Sequence, residues 1–223
     1  LVLPKNINKN VLELLDLLGQ EYLITNATIQ AKFLTFDKSK ILDLVPIRRQ
    51  LIEKYALNSL MKADEKPNFL INEKIFISRR KTRALINEQE VSECLKNLGY
   101  KTIYAEDFSA REQHLIIRNA KSIVAIHGAA LGPLAYTPLN CRLEHVIELM
   151  PVGHTVYPFR DTCYFNGIYW IGVRGKMKES YIKHIYDIKK PFLKYSLDSF
   201  TIDTHSLEQA LSFADSKTKV SIL

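Results

Sequence analysis

From Lys74 onward the apolar positions fall into a repeating cycle, a short β-branched run followed by a segment of helical spacing. Lys74–Ser78 (KIFIS) predicts a buried strand, and residues 88–98 (EQEVSECLKNL) predict a helix whose Val91, Leu95 and Leu98 share one face. Gly99 supplies its stop. Lys101–Tyr104 predicts a second strand. Ser109 then opens a helix with Glu112 three residues on, the spacing of a capping box, and Ile117 and Ala120 close it. Ser122–Ile126 (SIVAI) has the composition of a central parallel strand, and a short helical segment after it ends before Pro138. Residues 143–149 (LEHVIEL) and 167–173 (GIYWIGV) predict two further strands. This alternation implies right-handed crossovers and an α/β, doubly wound, mostly parallel Rossmann-like sheet with helices on both faces.

The chain before Lys74 is less regular. Residues 11–18 (VLELLDLL) predict a short helix, 22–25 and 32–34 short strands, and 48–57 a helix beyond Pro46. The polar stretch 62–68 (KADEKPN) has the composition of a linker. The predicted organisation is therefore a partial or reduced amino-terminal segment, 1–68, and a Rossmann-like domain, 69–223. The opening Leu1-Val2-Leu3-Pro4 resembles neither a signal peptide nor an initiator, which suggests a fragment or a processed product. No apolar run reaches the roughly 18 residues of a membrane span.

Charge narrows the partners. Thirty-one Lys and Arg against 24 Asp and Glu leave a net charge of +7, which favours a phosphate-bearing or polyanionic partner without separating nucleotide, nucleic acid and membrane surface. Cys94, Cys141 and Cys163 form no close pair, and three cysteines make no simple disulfide framework.

Open parallel sheets bind ligands beyond the carboxyl ends of their strands. Two sequences of unusual chemistry lie there. Ser78-Arg79-Arg80-Lys81-Thr82-Arg83 packs three guanidinium groups and an ammonium into five positions without an acid. Arginine grips phosphate bidentately, whereas lysine acts as a mobile point charge; the plain alternative is a solvated basic loop. His127-Gly128-Ala129-Ala130 directly follows SIVAI. Its small residues let a ligand reach the backbone, and the amides opening the next helix can receive a phosphate. His127 is placed to contact the ligand or move a proton, against the alternative of a satisfied histidine in a tight turn. Glu106, Asp107 and Glu148 also lie at or near strand ends and share with His127 the candidacy for a catalytic base. Asn87 can cap the helix that Glu88 opens, and Gln113 can orient the arginine loop or make a structural hydrogen bond. Tyr157, Phe159, Tyr164, Tyr169 and Trp170 are expected mostly in the core, with one ring free to pack on a base or sugar. A DxD pair, a Walker loop and a GxGxxG turn are all absent from the sequence, and His145 and His154 stand apart from other metal ligands.

The stretches SRRKTRALINEQEV, SAREQHLIIRNAKSIVAIHGAAL and VIELMP, in that order between Ile75 and Pro151, together resemble glycosyltransferase family 61. That family includes plant xylan glycosyltransferases and O-linked N-acetylglucosaminyltransferases. Its arginine-rich segment, Asn-Glu, Glu-Gln and His-Gly-Ala positions are matched here by Arg79, Arg80 and Arg83, by Asn87 and Glu88, by Glu112 and Gln113, and by His127, Gly128 and Ala129. The resemblance implies a GT-B donor domain. It further implies an inverting transfer from a nucleotide sugar, UDP-linked in the commonest case, to a hydroxyl on a glycan or protein. Absence of the DxD pair points to metal-independent stabilisation by arginine, with no cofactor. The family works in the bacterial cytoplasm and in the secretory lumen of eukaryotes.

Two other function classes compete with an enzyme. A noncatalytic nucleotide- or carbohydrate-binding module would bind a donor without transferring or hydrolysing it. A nucleic-acid-binding protein would need a broad basic face and a steep salt dependence, and the compact arginine cluster beside HGAA disfavours it.

Overall fold

The computed structural model describes residues 2–17, 19, 21–27, 73–137, 141–177 and 195–217. The expected elements at 32–34, 48–57 and 62–68 lie outside these residues. At the amino terminus, β1 (Val2–Leu3) pairs in parallel with β2 (Leu23–Ile24), with helix α1 (Lys9–Leu17) between them.

The main sheet contains β3 (Lys74–Ser78), β4 (Lys101–Tyr104), β5 (Ser122–Ile126), β6 (His145–Met150) and β7 (Tyr169–Arg174). All four pairings are parallel, and the order is β4-β3-β5-β6-β7. The two carboxyl-terminal strands start two residues later than predicted. The residues ahead of them, 143–144 and 167–168, lead in rather than pair.

Strand periodicity divides the core in two. Phe76, Val124, Ile126, Ile147 and Leu149 face α2 (Glu88–Asn97), through Val91 and Leu95, and α5 (Thr204–Asp215), through Leu207 and Leu211. Ile75, Ile77, Ile123, Ala125 and Val146 form the opposite cluster. They pack with Ile116 and Ile117 of α3 (Ala110–Asn119), Leu131 and Leu134 of the 3₁₀ helix Ala129–Tyr136, and Cys163 of α4 (Pro158–Phe165). Every side chain of β5 is buried, as a strand covered on both faces requires.

Helix ends follow local chemistry. Ser109 and Glu112 form the expected capping box. Glu13 of α1 adds to it, accepting from the Ala110 amide at 2.9 Å and the Arg111 amide at 3.3 Å, so its carboxylate sits at the positive end of α3 and ties the amino-terminal segment to the sheet unit. Asn87 makes no side-chain cap. It donates instead to the Ile202 carbonyl at 2.8 Å and accepts from the Ile202 amide at 3.1 Å, clamping the segment that leads into α5.

Candidate functional site at the carboxyl ends of β3 and β5

β3 and β5 are neighbours, yet the chain leaves them toward opposite faces: α2 follows β3 and covers one side, and the 3₁₀ helix Ala129–Tyr136 follows β5 and packs on the other. Such a reversal is a topological switch point, and parallel sheets usually hold their ligands beyond the strand ends there, in the crevice between the two connections. Both sequence-predicted segments border it.

Arg79 and Arg83 converge on one atom. Arg79 Nη1 donates to the His127 carbonyl at 3.1 Å and Nη2 to Thr82 Oγ1 at 3.1 Å. Arg83 Nη1 reaches the same carbonyl at 3.4 Å, while its Nε donates to the Ser196 carbonyl at 2.6 Å. Among the described residues, neither guanidinium has a carboxylate within ion-pair distance. Burial lowers the pKa of both, opposed at Arg79 by Glu106 and reinforced at Arg83 by the Arg79 charge. Both remain cationic at physiological pH, because arginine starts so high. Arg83 also holds a φ of 59°, an uncommon left-handed conformation that its amide bond to the Leu197 carbonyl secures.

Gly128 admits the Arg79 side chain. A Cβ there would lie 2.1 Å from Arg79 Nη1. Gly128 precedes the 3₁₀ helix and Ala129 and Ala130 open it, where the first amides lack intrahelical partners.

His127 lies directly beyond β5 and is buried, 3% exposed. Its Nδ1 meets Glu148 Oε1 at 2.5 Å, and the other carboxylate oxygen accepts from Trp170 Nε1 at 2.7 Å. Glu148 is fully buried. A buried carboxylate needs such donors to offset the loss of hydration. The imidazole also packs edge-on against Phe159 at 5.7 Å and tilts toward His154 at 4.9 Å. Burial, Arg83 and His127 together lower the His154 pKa.

The other candidates lie elsewhere. Arg80 turns from the crevice into a bidentate pair with Asp107, at 2.5 and 2.6 Å, and stacks over the Tyr104 ring at 3.9 Å. The guanidinium holds the Asp107 carboxyl below its usual range. Asp107 borders an open cleft of about 670 Å³, lined also by Lys9, Asn10, Glu13, Glu106 and Ser109. Gln113 donates to the Ala105 and Phe108 carbonyls, at 2.9 and 3.0 Å, and fixes the turn between β4 and α3. Glu88 accepts from Ser78 Oγ at 2.5 Å and Tyr104 Oη at 2.9 Å. Tyr157 and Tyr164 are exposed rather than in the core.

Trp170 as the partner of Glu148 escapes the sequence reading, as do Ser196 beside Arg83 and His154 beside His127. Alternation along 146–150 and 169–173 puts Glu148 and Trp170 each on a definite face, but only the β6–β7 register makes those faces coincide. His145, well away from this site, is bonded through Nε2 to Ser122 Oγ at 2.6 Å. No group of three or more His, Cys, Asp or Glu is arranged to hold a metal ion among the described residues. None of their helices is long and apolar enough to cross a membrane.

No curated protein matches the chain significantly. The family model for glycosyltransferase 61 matches residues 10–143, about three fifths of the chain, starting earlier and ending earlier than the stretch quoted above. The match runs from α1 through the arginine loop, the capping box and the His-Gly-Ala turn, and takes in β3, β4 and β5 of the five-stranded parallel sheet, a Rossmann-like fold of GT-B type. The chain belongs to the glycosyltransferase 61 family.

Proposed function

We propose that the chain binds a nucleotide diphosphate sugar, a UDP-sugar in the first instance, at the β3–β5 crevice and serves its inverting transfer to a hydroxyl of a glycan or protein. One observation carries this reading: two guanidinium groups with no carboxylate partner among the described residues meet at the His127 carbonyl, at the switch point of the sheet. A diphosphate there receives bidentate bonds from Arg79 and Arg83 and backbone amides from Gly128, Ala129 and Ala130. The positive charge that the leaving group needs comes from the arginines, which makes the transfer metal-independent and free of any cofactor.

In the transfer, the acceptor oxygen forms a bond to the anomeric carbon as the bond from that carbon to the phosphate oxygen breaks. The leaving electron pair passes to the diphosphate, where preformed cations stabilise it. Asp107, an anionic carboxylate bordering the open cleft, takes the acceptor proton as Arg80 moves off its two oxygens and its basicity recovers. His127 contacts the donor through Nε2, the ring nitrogen that Glu148 leaves available. Arg80 acts through Asp107, while Asn87 and Gln113 shape the loops that carry the site. Domain 69–223 thus holds the donor, and segment 1–68 contributes α1 to the acceptor side.

Calorimetric titration with UDP, GDP, CMP and their sugar conjugates tests the donor site. Saturable binding of one nucleotide is expected, weakened at least tenfold by Arg79→Ala and by Arg83→Ala. Wild-type affinity in both folded variants would overturn the assignment.

A further inference from the structure

The β6–β7 register pairs Glu148 with Gly172. Strand alternation puts Trp170 and Gly172 on the Glu148 face of the sheet. A Cβ at Gly172 would stand 2.7 Å from Trp170 Cη2 and 3.2 Å from Met150 Sδ. The indole therefore lies across the bare glycine, and this posture brings Nε1–H to Glu148 Oε2. Tyr157 of the loop before α4 meets the indole edge-on at 6.0 Å. The carboxylate, fully buried between two strands, has one oxygen on the indole and one on His127 Nδ1.

We infer that Gly172, Trp170 and Glu148 form a positioning relay that locks the His127 ring with its proton on Nδ1, so that Nε2 alone faces the chemistry of the donor. A carboxylate accepts and cannot donate while ionised, so the histidine nitrogen touching it carries hydrogen. The indole can only donate, so it fixes which carboxylate oxygen is left for His127. Nε2 takes no partner among the described residues, which leaves it to a ligand. Glu148 thereby acts through His127, and Trp170 through Glu148; neither touches the sugar. The inference rests on the donor-site reading only for the identity of what Nε2 meets.

The test compares the whole wild-type chain with Trp170→Phe and Gly172→Ala. Trp170→Phe removes the N–H and keeps most of the ring, which frees the carboxylate to turn off Nδ1, and Gly172→Ala displaces the indole to the same effect without replacing Glu148 or His127. Long-range proton–nitrogen correlation spectra of the ligand-free proteins report the tautomer of His127, whose signals are identified by their loss in His127→Gln. UDP titrations report the consequence, and the dispersion of amide chemical shifts reports packing, since Trp170→Phe removes the chain's one tryptophan. The wild type should show one form, protonated on Nδ1. Both variants should show mixed Nδ1 and Nε2 protonation and bind UDP about fivefold or more weakly. Unchanged His127 signals in a folded Trp170→Phe chain would overturn the relay, as would mixed tautomers with undiminished UDP affinity. If the wild type binds no UDP, the donor reading falls, and the tautomer comparison decides the relay by itself.

Discussion

Replacing Gly128 with alanine should disable Arg79 without touching it. The added Cβ would lie 2.1 Å from Arg79 Nη1 and 3.2 Å from its Cζ, with Arg83 Nη1 at 3.8 Å. Ordinary contact between heavy atoms needs about 3.5 Å, so the guanidinium must retreat by about 1.5 Å. That movement breaks its 3.1 Å bond to the His127 carbonyl. The obstructing atom is the far end of a flexible side chain, so the fold can absorb the change. Gly128 also has φ 155° and ψ −175°, a region almost confined to glycine, which adds strain of about 1–2 kcal/mol. For a domain of this size that corresponds to a fall in Tm of about 2–8 °C. Loss of one charge-assisted bidentate contact with phosphate costs about 1.5–3 kcal/mol, or roughly 10- to 150-fold in Kd. Calorimetry with UDP and a thermal melt measure the two effects separately. Because Gly128→Ala acts through Arg79, the double variant with Arg79→Ala should bind little worse than either single variant. A folded Gly128→Ala chain with wild-type affinity, or strictly additive losses in the double variant, would refute this reasoning.

Three further outcomes follow from the geometry. Arg80→Ala should weaken UDP binding less than threefold, because its guanidinium is committed to Asp107 at an exposed ion pair; a loss matching that of Arg79→Ala in the same titration would contradict the division of the arginine loop. Glu13→Ala strips the Ala110 and Arg111 amides of their carboxylate and should cost about 1 kcal/mol, with faster hydrogen exchange at those two amides; unchanged exchange would show that α1 does not cap α3. Acid should destabilise the fold as pH drops from about 6.5 to 4. Burial depresses His114 to about 4 and also lowers His145, so in this window the unfolded chain binds the extra protons, and the stability present above 6.5 is lost on acidification. His114 alone accounts for about 1 kcal/mol at pH 5.5, and equal urea midpoints at pH 7.5 and 5.5 would contradict it.

The legible parts of this molecule are those with local causes. β3, β4 and β5 match the predicted strands residue for residue, because an apolar β-branched run bounded by polar residues has few other fates. The Ser109–Glu112 box is equally local. Their order suffices to bring the arginine loop and the His-Gly-Ala turn to one end of the sheet. Direction of the side chains within that end was not legible. Three arginines look equivalent along the chain, yet only the fold sets Asp107 against Arg80 and leaves Arg79 and Arg83 at the His127 carbonyl. Glu148 looks like an accessible strand-end carboxylate. Its burial follows from β7 and α4, which come later in the chain and cover it. Helix α5, beyond the last expected strand, carries a local signal as well: Asp203 at its cap and Leu207, Leu211 and Ala214 on one face.

A crystal structure of the chain with UDP tests the central claim most directly. The account predicts the diphosphate in the β3–β5 crevice, its oxygens within hydrogen-bonding distance of Arg79, Arg83 and the Gly128–Ala129 backbone, with His127 Nε2 turned to the ligand. UDP seated elsewhere, with Arg79 and Arg83 still bonded only to the protein, would contradict it.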